Sequence, residues 1–398
     1  MEPLYQNSSI IASIKEKNMD IKLISTPSTI DLGDKDRFNK MSGTFAGVCY
    51  MPHDFDSLLN EPEQKTLRRA EMTKSNRHHS VFEHEFITLY LENIPKLFAM
   101  LLNNEKLYVT SEKSARYTQM TPSPVEKELY FKWINKFKQL ITEKYPENKF
   151  IDARRTEKLA MENARYLLSV YTPTSMVYTT SYRQLNYMYN WLNRQDGTSA
   201  LFNDLEPTTS EFCHKLEELN LIDDKLQEGG FGRDFSLIGK RDREEHFGDV
   251  YSTNYEGSFA SLAQAQRHRT LSYEMQELPE KKYYVPKILN QHPELVKEWL
   301  EDMDKVGSYT PQGQLVKINE RGNVENFILK MKERLCSCAQ LEIVDQTRLT
   351  LGKYIFQTPD ENIKAMLEPY TKGARCLADY KCPSPCGFKE GIDMTREI

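Results

Sequence analysis

Two stretches of this 398-residue chain show the same order of elements, and that order constrains the fold more than any other feature. In the first stretch, apolar residues alternate along Ile87–Leu91, as in a β-strand, and a short apolar helix follows at Lys96–Leu102. In the second, residues alternate along Asp249–Tyr255, and Ser258 is placed to cap a short helix. The repeated order predicts an α+β fold of two similar tandem domains, each a small sheet with packed helices.

The predicted domain boundaries follow from this repeat. They are an irregular lead-in at 1–40, a first repeat at 41–205, a linker at 206–232, a second repeat at 233–358 and a cysteine-containing tail at 359–398. The Gly229–Gly232 run is assigned to the linker, because it lacks the strand–helix pattern of a phosphate-binding loop. Apolar spacing predicts the longer helices at Glu63–Asn76, Glu126–Glu143, Glu157–Val170, Tyr182–Leu192, Glu294–Met303 and Val324–Leu341.

Composition narrows the class of function. The formal net charge of −5 disfavours a general nucleic-acid-binding protein, and no apolar run is long enough to span a bilayer. The N-terminus lacks the basic-then-apolar order of a signal peptide. Seven cysteines in such a chain are typical of reduced thiols in the cytoplasm. We therefore expect a cytoplasmic protein that has neither nucleic acid nor a membrane as its partner.

A basic cluster, Arg267-His268-Arg269, follows the short helix of the second stretch. Two guanidinium groups this close repel each other, but both are stabilised if an anion such as a phosphate lies between them. For these three residues alone, a solvated basic turn is the alternative interpretation.

The first stretch carries a different set of polar groups. A histidine-rich segment, His78–His84, precedes its strand, and a Ser114-Ala115-Arg116 turn follows Glu112. Arg165 and Arg183 lie on the helices predicted after that turn. Taken alone, Ser114-Ala115-Arg116 is interpreted as an ordinary turn, and Arg165 and Arg183 as charges on helix surfaces. The histidines are then either a strand-capping polar cluster or a metal site.

In combination these motifs resemble the flavin-dependent thymidylate synthases, over roughly residues 43–345. The signature of that family is Arg-His-Arg followed by Ser-x-Arg, with an upstream His-x-x-x-Phe-Glu-His. The two stretches have lost complementary parts of it: the first has Asn104-Glu105-Lys106 for Arg-His-Arg, and the second lacks Ser-x-Arg within Ser272–Glu277. Glu325 stands where the first stretch has Arg183. Because the family builds each site from neighbouring subunits, the resemblance implies one site shared by both repeats.

The resemblance implies reductive methylation of dUMP to dTMP, with FAD as the cofactor and NADPH and methylenetetrahydrofolate as co-substrates. The catalytic residues that it implies are Arg183, Ser114 and His78. The implied substrate-binding residues are Glu112, Ser114, Arg116, Arg165, Arg183, Gln264 and Arg267. The implied FAD-binding residues are His78, Glu83, His84, Arg267, His268 and Arg269, and no metal is implied.

Several alternatives remain open at this point. The motif losses leave room for flavin-dependent modification of another pyrimidine nucleotide, or for a non-catalytic relative that binds a nucleotide or flavin. The expected assembly is a homodimer of two-repeat chains that forms a pseudo-tetramer. The tail cysteines are either free thiols or part of a zinc site with a fourth ligand from elsewhere in the chain. The residues of this zinc hypothesis are Cys376, Cys382 and Cys386, with Cys336, Cys213 or His214 as the fourth ligand.

Overall fold

The computed structural model describes residues 19–25, 35–50, 55–113, 122–146, 151–194, 199–227, 235–336, 338–378, 381 and 396–398. The strands are β1 (Asp20–Ser25), β2 (Phe86–Pro95), β3 (Tyr108–Glu112), β4 (Pro173–Ser181), β5 (His246–Phe247), β6 (Val250–Ser258), β7 (Ser272–Glu277) and β8 (Leu315–Asn323).

The helices alternate with these strands along the chain. They are α1 (Lys35–Tyr50), α2 (Phe55–Leu59), α3 (Glu63–Ser75), α4 (Lys96–Leu102), α5 (Pro124–Lys144), α6 (Ala153–Ala164), α7 (Tyr182–Asn193), α8 (Ala200–Asn203), α9 (Glu206–Glu218), α10 (Asp224–Gln227), α11 (Phe259–Ala265), α12 (Pro293–Lys305), α13 (Val324–Arg334), α14 (Leu341–Gln357) and α15 (Glu361–Leu367). Within the described part of the chain, no helix combines the length and the apolar character that a bilayer span requires.

The strands form two antiparallel four-stranded sheets with the same strand order. The first sheet runs β1-β2-β4-β3 and the second runs β5-β6-β8-β7. In chain order, the short helices α4 and α11 follow β2 and β6, the second strand of each sheet. The longer helices α7 and α13 follow β4 and β8, the fourth strand of each sheet. The predicted α+β class, with small sheets and packed helices, is confirmed. The duplication itself stays a prediction, which the shared strand order supports.

The chain packs as two compact units that do not follow chain order. The first unit contains the first sheet and the described residues of Lys15–Lys113 and Pro173–Phe235. The second unit contains the second sheet and the described residues of Ser114–Thr172 and Ser236–Ile398. Helices α5 and α6, which the sequence assigns to the first repeat, therefore belong to the unit of the second sheet.

Helices α5 and α12 explain why that helical segment belongs to the second unit. The rings of Trp133 and Trp299 meet edge to face, with centroids 4.8 Å apart. Trp133 Nε1 donates to Asp302 Oδ2 at 2.8 Å, and Lys132 Nζ lies 2.5 Å from the same oxygen. Two buried tryptophans with a satisfied indole N–H make a large apolar contact with one polar anchor. A capping box of Ser123 and Glu126 starts α5.

The structure corrects two of the predicted segments. The lead-in at 1–40 was expected to be irregular, but it contains β1, and α1 begins at Lys35. The linker at 206–232 contains α9 and α10. Phe212 and Leu216 of α9 are fully buried, and the ring of Phe212 packs against that of Phe98 at 5.2 Å. Two apolar residues four apart suffice to attach a polar helix to the core, so the segment is not a linker.

Three further segments differ from the secondary structure that the sequence predicts. The helix predicted at Glu157–Val170 stops at Ala164, and Arg165 lies in a short 3₁₀ helix. The long helix predicted over Val324–Leu341 is two helices, α13 and α14. The stretch Ser272–Glu277, predicted as the counterpart of the Ser-x-Arg loop, is strand β7, because Tyr273 and Met275 alternate into the core while β7 pairs with β8.

Candidate active site

The candidate site in the first unit is built at one end of its sheet. The start of β2 pairs with the end of β4, Phe86 opposite Ser181, so the segment before β2 and the helix after β4 meet there. A 3₁₀ helix at His79–Glu83 precedes β2, and Ser181 caps α7 by accepting from the Gln184 N–H at 3.1 Å. The second residue of α7, Arg183, is thereby placed beside the 3₁₀ helix.

Arg183 is held by two side chains. Its Nη1 donates to Glu83 Oε1 at 2.7 Å, and its Nε donates to the Tyr187 hydroxyl at 2.8 Å. The guanidinium carbon also lies 5.0 Å from the centroid of the Tyr187 ring. The Arg183 side chain is 20% exposed, so its planar fork is oriented and still reaches the surface. A guanidinium held in this way can present donors to a planar carbonyl ligand.

Tyr187 joins Arg183 to a buried histidine. His79 Nδ1 lies 3.2 Å from the Tyr187 hydroxyl, and His79 Nε2 lies 3.1 Å from the Lys74 carbonyl oxygen. A carbonyl only accepts, so Nε2 carries the proton and Nδ1 accepts from Tyr187. Burial lowers the pKa of His79, which keeps the ring neutral. The result is a continuous hydrogen-bonded chain from Lys74 to Glu83.

The histidines predicted to bind flavin have a different environment. His78 and His84 are exposed, as is part of Glu83, and the ring of His84 stands edge-on to that of Phe45 at 5.0 Å. Sequence reasoning chose His78 and passed over His79 and Tyr187. The available signal was spacing: Arg183 and Tyr187 are four residues apart on a helix, and such pairs face each other.

The hydrogen bonds of His79 argue against a metal site in this histidine segment, which was the alternative interpretation. Both ring nitrogens of His79 are used in hydrogen bonds within the first unit. Across the ranges that the structure describes, no three histidine, cysteine or acidic side chains are grouped so that they could hold a metal ion. Cys382 and Cys386 of the zinc hypothesis lie outside the described residues.

Glu112 ends β3 in the same unit and is engaged within the fold. Its carboxylate lies 2.5 Å from Lys96 Nζ and accepts from Asn103 Nδ2 at 3.3 Å, and its side chain is 1% exposed. A direct role in substrate binding would require Lys96 to release this carboxylate. Ser114 and Arg116, which follow Glu112 in the predicted substrate loop, lie outside the described residues.

The three residues of the basic cluster in the second unit differ in their exposure to solvent. Arg267 and Arg269 are exposed, whereas His268 is buried. Arg334, in the last turn of α13, donates from Nε to His268 Nε2 at 2.5 Å and from Nη2 to the Gln264 carbonyl at 3.2 Å. Burial and the charges of Arg334 and Lys330 lower the pKa of His268 to about 2.

A histidine that accepts from an arginine and resists protonation cannot contribute positive charge to a phosphate site. The expectation that His268 helps to neutralise a pyrophosphate therefore does not fit its environment. Arg267 and Arg269, the residues before and after this buried ring, are exposed. The structure assigns His268 to the folding of the turn, where its carbonyl accepts from the Leu271 N–H at 3.1 Å.

The predicted substrate-binding residue Gln264 has its side-chain oxygen inside the fold. Its Oε1 is buried and, among the residues that the structure describes, has no hydrogen-bond partner. A phosphate oxygen only accepts, so it would pair with the Nε2 group of Gln264 and not with this buried oxygen.

Arg165 belongs to a buried network in the second unit. Its Nη2 donates to Gln340 Oε1, and Gln340 Nε2 contacts the Tyr166 hydroxyl. That hydroxyl donates to Glu342 Oε2 at 2.7 Å, and Glu342 also accepts from the Ser258 N–H and hydroxyl at 2.8 and 2.6 Å. Burial raises the pKa of Glu342. Arg165 therefore anchors the start of α14 and lies in a different unit from Arg183.

A second buried network, also in the second unit, joins strands β6 and β8 to helix α13 and was missed from the sequence. Lys330 Nζ lies 2.5 Å from Glu320 Oε2, and both side chains are fully buried. Tyr251 and Tyr255 donate to the two oxygens of Glu320 at 2.7 and 3.1 Å. Neither Glu320 nor Lys330 stands at a core position of an element predicted from the sequence, so no local pattern signalled this pair.

The comparisons with known proteins cover part of the chain. Residues 35–198 match the family model described as "Thymidylate synthase complementing protein". The resemblance seen in the motifs is confirmed over this segment, which contains Arg183, Glu83 and the exposed histidines. The segment ends before Gln264 and the Arg267–Arg269 cluster. No curated protein matches this chain.

The solved structures that are similar to this chain include two of a UMP/dUMP methylase PolB from Streptomyces cacaoi. The one bound with 5-Br dUMP has 16% sequence identity, covers 53% of this chain and 94% of that chain, and has a TM-score of 0.33. The one bound with 5-Br UMP has 14% identity, covers 54% of this chain and 93% of that chain, and has a TM-score of 0.30.

Proposed function

We propose that this protein is a flavin-dependent thymidylate synthase that methylates dUMP to dTMP, with methylenetetrahydrofolate and NADPH as co-substrates. The observation that carries the proposal is the oriented Arg183, which lies inside the segment that matches the family model. Glu83 and Tyr187 fix two edges of its guanidinium while part of the side chain stays exposed. An arginine in this state can be used for recognition because its orientation is set before a ligand arrives.

The uracil ring presents carbonyl oxygens that accept hydrogen bonds. In the proposed reaction Arg183 donates to one of them and stabilises the enolate-like negative charge on that oxygen, which lets carbon 5 form its bond to the one-carbon unit. Glu83 and Tyr187 act through Arg183, because their contacts determine its position. His79 stays neutral and supports the Tyr187 hydroxyl from the buried side.

The chain offers groups that fit an anionic flavin nucleotide. The guanidinium groups of Arg267 and Arg269 are exposed, with one residue between them in the chain, and would hold the pyrophosphate of FAD. His78 and His84 are the exposed groups of the first unit that would contact the flavin. Bound FAD would supply the hydride chemistry, with NADPH as the reductant. That both sets of residues serve one shared site remains a prediction from the motifs.

Three measurements test the proposal on the purified full chain. Flavin absorbance is expected in the protein as isolated or after reconstitution with FAD. NADPH oxidation in the presence of methylenetetrahydrofolate is expected to depend on dUMP, and mass spectrometry is expected to identify dTMP as the product. A protein that binds flavin and yields no product from dUMP overturns the proposal. UMP in a parallel reaction shows whether another pyrimidine nucleotide is the substrate.

A further inference from the structure

A buried aspartate in the segment predicted as a linker contacts the elements around the candidate site. Asp223 is 7% exposed and precedes α10, and its Oδ1 accepts from the Lys225 N–H at 3.1 Å, as an N-cap residue does. Its Oδ2 pairs with the ammonium group of Lys74, near the end of α3. Asp223 therefore joins two helices of the first unit through an ion pair that solvent hardly reaches.

Lys74 carries this contact to the buried histidine of the site. Its side chain is 4% exposed, and its ammonium nitrogen lies 5.5 Å from the centroid of the Phe82 ring. The Lys74 carbonyl accepts from His79 Nε2 at 3.1 Å, and this bond fixes the tautomer of His79. The side chain and the carbonyl of one lysine thus link Asp223 to His79.

The backbone of Asp223 is attached to α7. The fully buried Asn186 of that helix accepts from the Asp223 N–H at 2.7 Å through its Oδ1. Its Nδ2 donates to the Tyr182 and Leu221 carbonyls at 3.0 and 3.3 Å. Backbone groups therefore satisfy both ends of the Asn186 amide, which holds the segment of Asp223 against α7.

Tyr187, the next residue of α7, completes a closed path. His79 Nδ1 lies 3.2 Å from the Tyr187 hydroxyl, which accepts from Arg183 Nε at 2.8 Å. The path leaves α7 through Asp223, passes through Lys74 and His79, and returns to the same helix at the hydroxyl that orients the arginine. Displacement of one member moves the next, because a hydrogen bond tolerates only small changes in distance and angle.

We propose that Asp223 is a positioning residue for the methylation of dUMP. Its ion pair with Lys74 fixes the ring of His79, and that ring in turn fixes the Tyr187 hydroxyl. Arg183 then presents its guanidinium in one orientation. Asp223 acts only through this path and makes no contact with the uracil or the flavin. The kinetic part of this inference rests on the proposed function, whereas the state of His79 is measured without any substrate.

An exposed ion pair between the same two helices provides a matched control. Lys225 of α10 pairs with Glu71 of α3, and their side chains are 55% and 48% exposed. This pair lies at the surface and outside the closed path. Its removal therefore tests whether the loss of any ion pair between α3 and α10 has the same effect.

The first test compares two double variants of the full chain with the wild type. Asp223→Asn with Lys74→Met removes both charges together, so no unpaired charge stays buried, and asparagine still caps α10. We expect a folded protein in which kcat/KM for dUMP is reduced roughly twofold to thirtyfold, the range of coupling through a hydrogen-bond network. Glu71→Gln with Lys225→Met is expected to match the wild type. Equal kcat/KM values in all three proteins, or equal losses in the two variants, overturn the proposal.

The second test measures the ring nitrogens of His79 by NMR of the chain labelled with ¹⁵N-histidine. His79→Gln identifies the signals of this residue among the eight histidines of the chain. In the wild type at neutral pH we expect a single tautomer with the proton on Nε2. Asp223→Asn with Lys74→Met is expected to shift these signals towards a mixture of tautomers, and the variant of the exposed pair is expected to leave them unchanged.

The NMR result separates this inference from the proposed function. Identical His79 signals in the wild type and in Asp223→Asn with Lys74→Met overturn the role of Asp223, whether or not the protein methylates dUMP. A mixture of tautomers in that variant supports the path from Asp223 to His79. If the wild type then yields no product from dUMP, the proposed function fails and the path stands.

Discussion

Arg334 donates a 2.5 Å hydrogen bond to the Nε2 of His268, and this contact turns the middle residue of the basic cluster into the core. The folded protein keeps His268 neutral, because burial and Arg334 lower its pKa to about 2. The unfolded chain protonates the same residue near its ordinary pKa of about 6.5. Below that pH only the unfolded state takes up the proton, so the stability that the neutral ring contributes is lost as the pH falls.

His268→Gln should remove this part of the pH dependence. Between about pH 6.5 and pH 5, the free energy of unfolding of the wild type should fall relative to that of the variant, with a slope approaching 1.4 kcal/mol per pH unit. Urea denaturation at several pH values measures the difference. His292→Gln, at a histidine whose side chain is 41% exposed, is the control and should retain the wild-type slope. Parallel curves for the wild type and His268→Gln would contradict the assignment.

Arg183→Ala tests the group that carries the proposed function. Loss of a charge-assisted hydrogen bond to the uracil should lower kcat/KM for dUMP by roughly fivefold to 160-fold, which corresponds to about 1–3 kcal/mol of transition-state stabilisation. Steady-state kinetics with dUMP as the varied substrate gives this value. Arg194→Ala removes an exposed arginine at the end of the same helix and should leave kcat/KM near that of the wild type. Wild-type kinetics in Arg183→Ala would exclude Arg183 from the site.

Tyr187→Phe tests whether the hydroxyl positions Arg183. The substitution keeps the ring but removes the acceptor for Arg183 Nε and the donor to His79 Nδ1. We expect a loss of about 1–2 kcal/mol in the free energy of unfolding, together with a higher KM for dUMP. Tyr189→Phe on the same helix removes a hydroxyl that contacts Glu217 at the surface. This variant should lose no more than a few tenths of a kcal/mol in the free energy of unfolding, and its KM for dUMP should stay near that of the wild type. Equal effects of the two variants would show that the hydroxyl network has no special role.

Lys330→Ala tests the buried ion pair of the second unit. The substitution leaves the Glu320 carboxylate buried without its charged partner, which should cost about 3–5 kcal/mol of unfolding free energy. Lys317→Ala on β8 breaks an exposed contact with Asp242 and should cost no more than about 1 kcal/mol. Denaturant titration of both variants gives the comparison. If the two losses are alike, the buried pair does not stabilise this sheet in the way its burial implies.

Glu342→Gln tests the other buried carboxylate. Burial raises the pKa of Glu342, so the folded state retains a proton at pH values where the unfolded chain has released it. The stability that this proton contributes is present at low pH and is lost as the pH rises. The free energy of unfolding of the wild type should therefore decline relative to that of Glu342→Gln as the pH rises above about 4.5, the ordinary pKa of a glutamate. Glu361→Gln, at an exposed position, is the control and should follow the wild type. A constant difference between the wild type and Glu342→Gln would show that this carboxyl does not titrate differently on folding.

The local pattern of the sequence determined much of the secondary structure. Alternation along β2 and β6, and the caps at Ser258 and Asn323, depend on neighbours within a few residues, so they can be read directly from the chain. The same reasoning failed where a distant contact decided the outcome. Helix α13 ends where Arg375, about forty residues later, bonds to its last carbonyls.

The sequence by itself identified the arginines and histidines of a nucleotide-binding family and their order along the chain. Only the tertiary structure decided which of them face solvent and which are engaged within the fold. The motif predicted His268 and Arg165 as binding residues. In the structure, Arg334 holds His268 and Gln340 holds Arg165 inside the second unit. Arg183 became a stronger candidate because Tyr187 and Glu83 orient it. A motif records residue type and spacing, whereas burial and hydrogen-bond partners arise from segments far apart in the chain, and these set charge and orientation.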